Sequence, residues 1–262
     1  MGALGPVLLE AAPSAALRPY VTRLYAFREH YAVPMTRSEP AFAGVVLVLA
    51  FGASMEAGGR RVTAFTSGLG DRFTVTRTAG PLEGVEVLLT PFGARRLYGV
   101  PMRHLTNEVL PAGDLLGPAD ELVERLAGTP SWRHRLALTD RLLRERLAAA
   151  PELRPEVPWA WARLLESGGR VSASALAAEL GWSHRHLVAR FHDQVGLPPK
   201  TAARVIRFGR ARRLLSSGAP IAGVAAACGF YDQAHMNREF RALGDTTPGQ
   251  IRPRPGGSGG AS

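Results

Sequence analysis

The C-terminal half of the chain partly repeats itself. Shifted by 49 residues, Ser183 falls on Asp232, His186 on His235, Leu187 on Met236, Phe191 on Phe240 and Pro199 on Pro248, while Leu176 and Ala177 fall on Ala225 and Ala226. Two helix-capping residue types, two apolar pairs and two helix-starting prolines coincide. Chance rarely aligns so many related roles, so this half is read as two copies of one supersecondary unit.

Both copies obey one grammar. A short Ala-rich helix ends at a glycine (Gly181; Gly229), the residue that most easily takes the left-handed conformation that stops a helix. An aromatic follows (Trp182; Phe230), and a capping residue (Ser183; Asp232) opens the next helix. That helix buries a stripe at i and i+4, Leu187/Phe191 and Met236/Phe240, and leaves its other face polar. Helical segments are expected at 159–167, 174–180, His184–Val195, 200–216, 223–228 and 233–243, with a short one near 249–252, and no strand among them. Two helices joined steeply by a tight glycine turn make a helix-turn-helix. The polar faces carry His184, Arg185, Val188, Ala189 and Arg190 in one copy and Gln233, Ala234, His235, Asn237 and Arg238 in the other. Arg, Gln and Asn are the side chains that contact base edges in the major groove in bidentate fashion.

Charge supports that reading through its distribution more than its total. The 262 residues hold 32 Lys+Arg and 22 Asp+Glu, a net +10, but Lys200 is the only lysine, which points to a composition bias toward arginine. Residues 1–150 carry 17 basic and 14 acidic side chains, whereas 151–262 carry 15 and 8. The smaller part holds most of the excess, as expected where one domain faces a polyanion.

The stretch 171–252 then resembles the DNA-binding domain of the AraC/XylS transcription regulators. The matching blocks are GWSHRHLVARFHDQVGLPPK, RVIRFGRARRLL and IAGVAAACGFYDQAHMNREFRALGDTTPGQIR. Ile221, Ala225, Gly229-Phe230, Asp232-Gln233, Phe240 and Pro248 stand where that family has its signature. The resemblance implies two helix-turn-helix units bridged by a long helix. It places base reading on Arg185, Val188 and Ala189 in the first unit and on Gln233, Ala234, His235 and Arg238 in the second. Phosphate contacts are expected from Ser183, His184, Arg190 and Asn237, and from Lys200 and Arg204 near the start of the bridging helix. Departures from the family pattern are Val188 and Ala189, where a polar or arginine side chain is common, and Asp245, where a glycine often stands.

The N-terminal half reads as strand-rich. Buried or alternating runs at 41–51, 72–78 and 85–92 are strands, with turns at Gly58-Gly59 and Gly80-Pro81. After Pro111 the pattern turns helical, with one helix at 114–126 and a second bearing the stripe Trp132, Leu136, Leu143, Leu147 and capped by Ser131. That stripe suits either a dimer seam or packing on the chain's own sheet. Three prolines in 151–158 place a domain boundary there. The expected architecture is α+β in two domains: residues 1–150 as a sensor and dimerisation domain, 151–254 as the all-α reader and 255–262 as a flexible tail. Arg95, Arg96 and Tyr98 are the candidate set for an anionic or aromatic effector, against the favoured alternative of a surface turn with exposed arginines.

Cys228, the one cysteine, forms no intrachain disulfide, fits a reducing cytosol, and is expected as a packed thiol. The 1–20 segment is a poor signal peptide, and no run is long and apolar enough to span a membrane. His184, His186 and His192 lack the spacing and thiolate partners of a metal site, no nucleophile, P-loop or dinucleotide motif is present, and neither metal nor cofactor is expected. The expectation is a cytoplasmic, non-enzymatic transcription activator, with double-stranded DNA, RNA polymerase and a small-molecule effector as partners and a homodimer as assembly. The alternative is a small-molecule-binding or enzymatic N-terminal domain whose helical half mediates protein contacts.

Overall fold

The computed structural model describes residues 6–251, so the expected tail lies outside the described residues. Eight antiparallel strands form the N-terminal half: β1 (Val7–Ala11), β2 (Val21–Glu39), β3 (Val45–Gly52), β4 (Met55–Ala57), β5 (Arg60–Val62), β6 (Ala64–Ser67), β7 (Thr74–Leu89) and β8 (Val109–Pro111). Their order is β1-β2-β7-β3-β6-β8, with the β4–β5 hairpin attached to β7. The Gly58-Gly59 turn closes that hairpin, both glycines with positive φ.

Strand β7 is the spine of the sheet and corrects one expectation. Gly80-Pro81 is no turn between two strands but an irregularity inside a single strand. The register with β2 shifts there, from Tyr31↔Gly80 to Met35↔Thr78. Gly80 takes φ +75, and a proline that cannot donate is tolerated where the ladder is already broken. The C-terminal part of β7 pairs with β3, the N-terminal part with β4. Alternation along these strands then feeds two cores. Val45, Leu47, Leu49, Val85, Val87 and Leu89 face the helices. Val48, Ala50, Leu82, Phe65 and Val109 close a second, smaller cluster on the opposite face.

Helices α1 (Pro91–Tyr98), α2 (Gly113–Leu116), α3 (Ala119–Ala127) and α4 (Trp132–Ala149) cover the first face. The expected helix at 114–126 is thus two pieces, broken at Gly117-Pro118. The expected surface turn around Arg95 is helix α1, capped by Thr90, whose Oγ1 accepts the Gly93 N–H. Gly93 is dictated by packing, since a Cβ there would stand 2.2 Å from the Tyr20 carbonyl oxygen. In α4 the stripe of Leu136, Leu143 and Leu147 is buried within the chain, and Trp132 stacks on Phe51 with the Arg135 guanidinium over both rings. Its packing is on its own sheet.

The C-terminal half is all helical: α5 (Glu156–Glu166), α6 (Ala173–Glu179), α7 (His184–Val195), α8 (Pro199–Ser216), α9 (Ile221–Ala227), α10 (Gln233–Gly244) and a 3-10 turn (Pro248–Gln250). Helices α6–α7 and α9–α10 are the two helix-turn-helix units, and α8 bridges them. The halves share one continuous apolar core. Trp161 of α5 sits between Phe92 of α1 at 6.5 Å and Phe191 of α7 at 6.2 Å. Among the described residues no helix is long and apolar enough to cross a membrane.

Candidate nucleic-acid interface

Helices α7 and α10 are built by the same local chemistry. Ser183 Oγ accepts the His186 N–H, and Asp232 Oδ1 accepts the His235 N–H at 2.5 Å, so both caps close the first turn. Gly181 and Gly229 stand at φ +67 and +74 and end the preceding helices. The stripes Leu187/Phe191 and Met236/Phe240 are fully buried.

The structure refines the repeat. The Trp182 N–H bonds the Ala177 carbonyl and the Phe230 N–H bonds the Ala225 carbonyl, an offset of 48. Leu176 and Ala177 therefore correspond to Val224 and Ala225, all four buried, and not to Ala225 and Ala226. The offset becomes 49 only at the caps, because the second turn has one extra residue. That residue is Tyr231, 92% exposed just before the α10 cap.

On α7, Ser183, His184, Arg185, Ala189 and Arg190 are exposed and Val188 is half-buried. On α10, Gln233, Ala234 and Arg238 are exposed, whereas His235 and Asn237 are half-buried. His235 is tied into its own turn: its ring lies 5.7 Å from that of Phe230, its Nδ1 accepts the Tyr231 N–H, and its Nε2 stands 3.7 Å from Glu239. Lys200 is exposed in the first turn of α8.

Arg204, expected on phosphate, is otherwise engaged. Its Nε donates to Glu239 of α10, and its Nη1 lies 3.7 Å from Asp71 of the N-terminal half. Two carboxylates thus pair with the guanidinium in this structure. The sequence signal for this was absent, since the partner lies 133 positions away. Arg207, one turn on, donates to the Gly169 carbonyl, and burial draws its basicity down.

The candidate effector residues do not converge on one pocket. Tyr98 is buried, its hydroxyl 2.9 Å from Thr66 Oγ1, and burial raises its pKa. Arg96 donates to Tyr20 and to the Leu147 and Ala150 carbonyls, bracing α1 against the end of α4. The Nε atoms of Arg95 and Arg96 are both buried and unpaired, and burial followed by Arg103 and Arg190 lowers the pKa of Arg95. Cys228 is a buried free thiol whose pKa is raised by burial.

The N-terminal half is docked directly on the two units. Arg103 forms an ion pair with Asp193 of α7, and Thr106 Oγ1 donates to the Gly196 carbonyl at the end of that helix. At the C-terminal end of α10, the Ala41 N–H bonds the Leu243 carbonyl at 2.8 Å and Ser38 Oγ donates to Asp245 at 2.7 Å. Asp245 takes φ +49, the left-handed helix end that a glycine would occupy without strain. Its departure from glycine supplies the carboxylate that Ser38 holds.

Residues 176–254 match the family described as a helix-turn-helix domain. Over 91 residues the chain is 34% identical to the uncharacterized HTH-type transcriptional regulator YbfI of Bacillus subtilis (strain 168), covering 34% of this chain and 33% of that protein. Over 84 residues it is 39% identical to the HTH-type transcriptional regulator GlxA of Rhizobium meliloti (strain 1021), covering 32% and 26% respectively. The chain thus spans a third or less of the length of these relatives. A crystal structure of ToxT from Vibrio cholerae strain SCE256, with an unsaturated fatty acid bound, superposes over 86% of this chain and 92% of its own, at a TM-score of 0.50 and 10% identity, a likeness of fold.

Proposed function

Residues 176–254 being a helix-turn-helix domain of the AraC type, we propose that the chain is a sequence-specific transcription regulator that reads two successive major-groove segments with α7 and α10. The observation that carries this is the pair of identically capped helices, each burying one stripe and turning Arg185 or Gln233 and Arg238 outward. Arg185, Val188 and Ala189 read bases in the first half-site; Gln233, Ala234 and Arg238 read them in the second. Ser183, His184, Arg190, Lys200 and Asn237 lie on the flanking phosphates. His235 orders the turn below them rather than reading a base. Two readers on one protomer require half-sites about one helical turn, ~34 Å, apart.

Residues 1–150 act as the regulatory and dimerisation part, modulating the reader through a small molecule. The ToxT likeness supports that arrangement of domains, and ToxT binds an unsaturated fatty acid. In this chain a candidate place for such a molecule is an apolar crevice between sheet and helices, lined by Leu47, Leu49, Leu97, Leu116, Leu122 and Leu143 with Arg146 beside them. Its open volume is about 10 Å³, room for about one water, so an effector enters only if the helices shift.

The test is duplex binding by fluorescence anisotropy across a salt series. Affinity is expected to fall steeply, with a log–log slope of about −4 to −6 for five or six phosphate contacts. A flat salt dependence, or no binding, would favour the alternative in which the helical half mediates protein contacts.

A further inference from the structure

We propose that the segment 102–107 of the N-terminal half is a gauge that fixes the two recognition helices relative to one another, with Asn107 and Asp71 as its positioning residues on the second unit. The inference rests on the tandem reading above and assigns what sets its spacing.

The segment touches the first unit directly and is linked to the second through Asp71 and Arg204. Its 3-10 turn, Met102–Leu105, packs along α7, where Arg103 pairs with Asp193 and Thr106 holds the Gly196 carbonyl. The next residue, Asn107, turns the other way. It sits at φ +58, a conformation that non-glycine residues seldom adopt unless their surroundings demand it. Its amide clamps Asp71 twice: Nδ2 donates to Asp71 Oδ1 at 3.0 Å, and Oδ1 accepts the Asp71 N–H at 3.0 Å. With one oxygen so held, the other, Asp71 Oδ2, stands 3.7 Å from Arg204, which in turn donates to Glu239 on α10. The Arg204–Glu239 pair is sheltered from screening, its side chains 29% and 14% exposed, whereas Asp71 is 36% exposed and the more solvated end of the link.

The chain of contacts therefore runs from α7 through Thr106-Asn107 to Asp71, Arg204 and α10. Besides this chain of contacts, the two units are joined by α8 and its flanking turns, by α5, and by a second tie of the N-terminal half to the end of α10 through Ala41 and Ser38. A small rotation of either unit about α8 would move one reading face off its groove while the other stays seated. A gauge of this kind acts on half-site spacing and leaves untouched the bases that each helix prefers.

The experiment uses the full chain and duplexes with the two half-sites at the preferred spacing or one base pair longer or shorter. Wild type is expected to lose about tenfold in affinity for a one-base-pair change, since each step rotates one half-site by about 34°. Asn107→Gly and Asp71→Asn are expected to cut that penalty to about threefold or less, with base preference within each half-site unchanged. Asn107→Gly removes the clamp while giving the backbone the residue best suited to its φ, so it separates positioning from folding. Variants that retain the wild-type spacing penalty would overturn the gauge and leave tandem reading intact. A wild type indifferent to spacing would overturn both.

Discussion

At the scale of single residues, the two side chains that differ most from their sequence reading are Arg204 and His235. Place on the bridging helix points Arg204 to phosphate and the family resemblance points His235 to a base, yet both side chains are held by Glu239. Their positions were legible in the sequence; their partners were not, because Asp71 reaches Arg204 only through the tertiary fold. The caps Ser183 and Asp232 were legible because a cap acts within three residues. On the proposed reading Arg238 is the clearest candidate base reader, exposed and in no ion pair among the described residues. Arg238→Ala is expected to cost about 1–3 kcal/mol on a cognate duplex and to relax preference at one base pair, measured by competition against a scrambled duplex. Equal losses on both duplexes would refute base reading. Glu86 gives a second prediction. Burial first, then the neighbouring carboxylates Glu39 and Glu29, push it from 4.5 to about 7. The folded chain then holds a proton that the unfolded chain releases, so stability from this group is present at low pH and lost as pH rises from about 4.5 through about 7. Glu86→Gln is expected to equal wild type in urea unfolding at pH 4 and to exceed it by roughly 2–3 kcal/mol at pH 8.5.

At the scale of elements, α7 was legible to the residue and α10 to within one, since each combines a cap, a 3.6-residue apolar period and a left-handed end. Strand β2 was not legible. Its second half is almost wholly exposed, Val33 and Met35 included, and contains Pro34, so it exists as a strand only because β7 pairs along it. Helix α1 was likewise hidden, being eight residues with arginines on its outer turn that tertiary contacts to Tyr20, Leu147 and Ala150 stabilise. The end of α10 offers a direct check on the docking contact. Asp245→Ala loses the bond to Ser38 and places a Cβ residue in the left-handed region with no local compensation, whereas Asp245→Gly loses the bond and relieves the backbone. Thermal unfolding is expected to rank the glycine variant above the alanine variant by about 1 kcal/mol. Equal stabilities would mean that the conformation at 245 is unstrained or not retained.

At the scale of the whole molecule, the two halves are coupled through a common core and a set of polar contacts that reach both reading units. The Phe92–Trp161–Phe191 stack makes the reader's packing depend on the sheet domain. Arg103, Thr106 and Asp71 make the disposition of its helices depend on that domain as well. A change in the sheet domain therefore has a physical route to α7 and α10, as the proposed regulation needs. Selection of bound duplexes from a random library with the purified full chain tests tandem reading most directly. The expected outcome is a motif of two distinct half-sites centred about 10–11 base pairs apart. Repeating the selection with Arg238→Ala should erase information at a position of one half-site only. Enrichment of a single half-site, loss spread evenly over both in the variant, or no enrichment at all would contradict it.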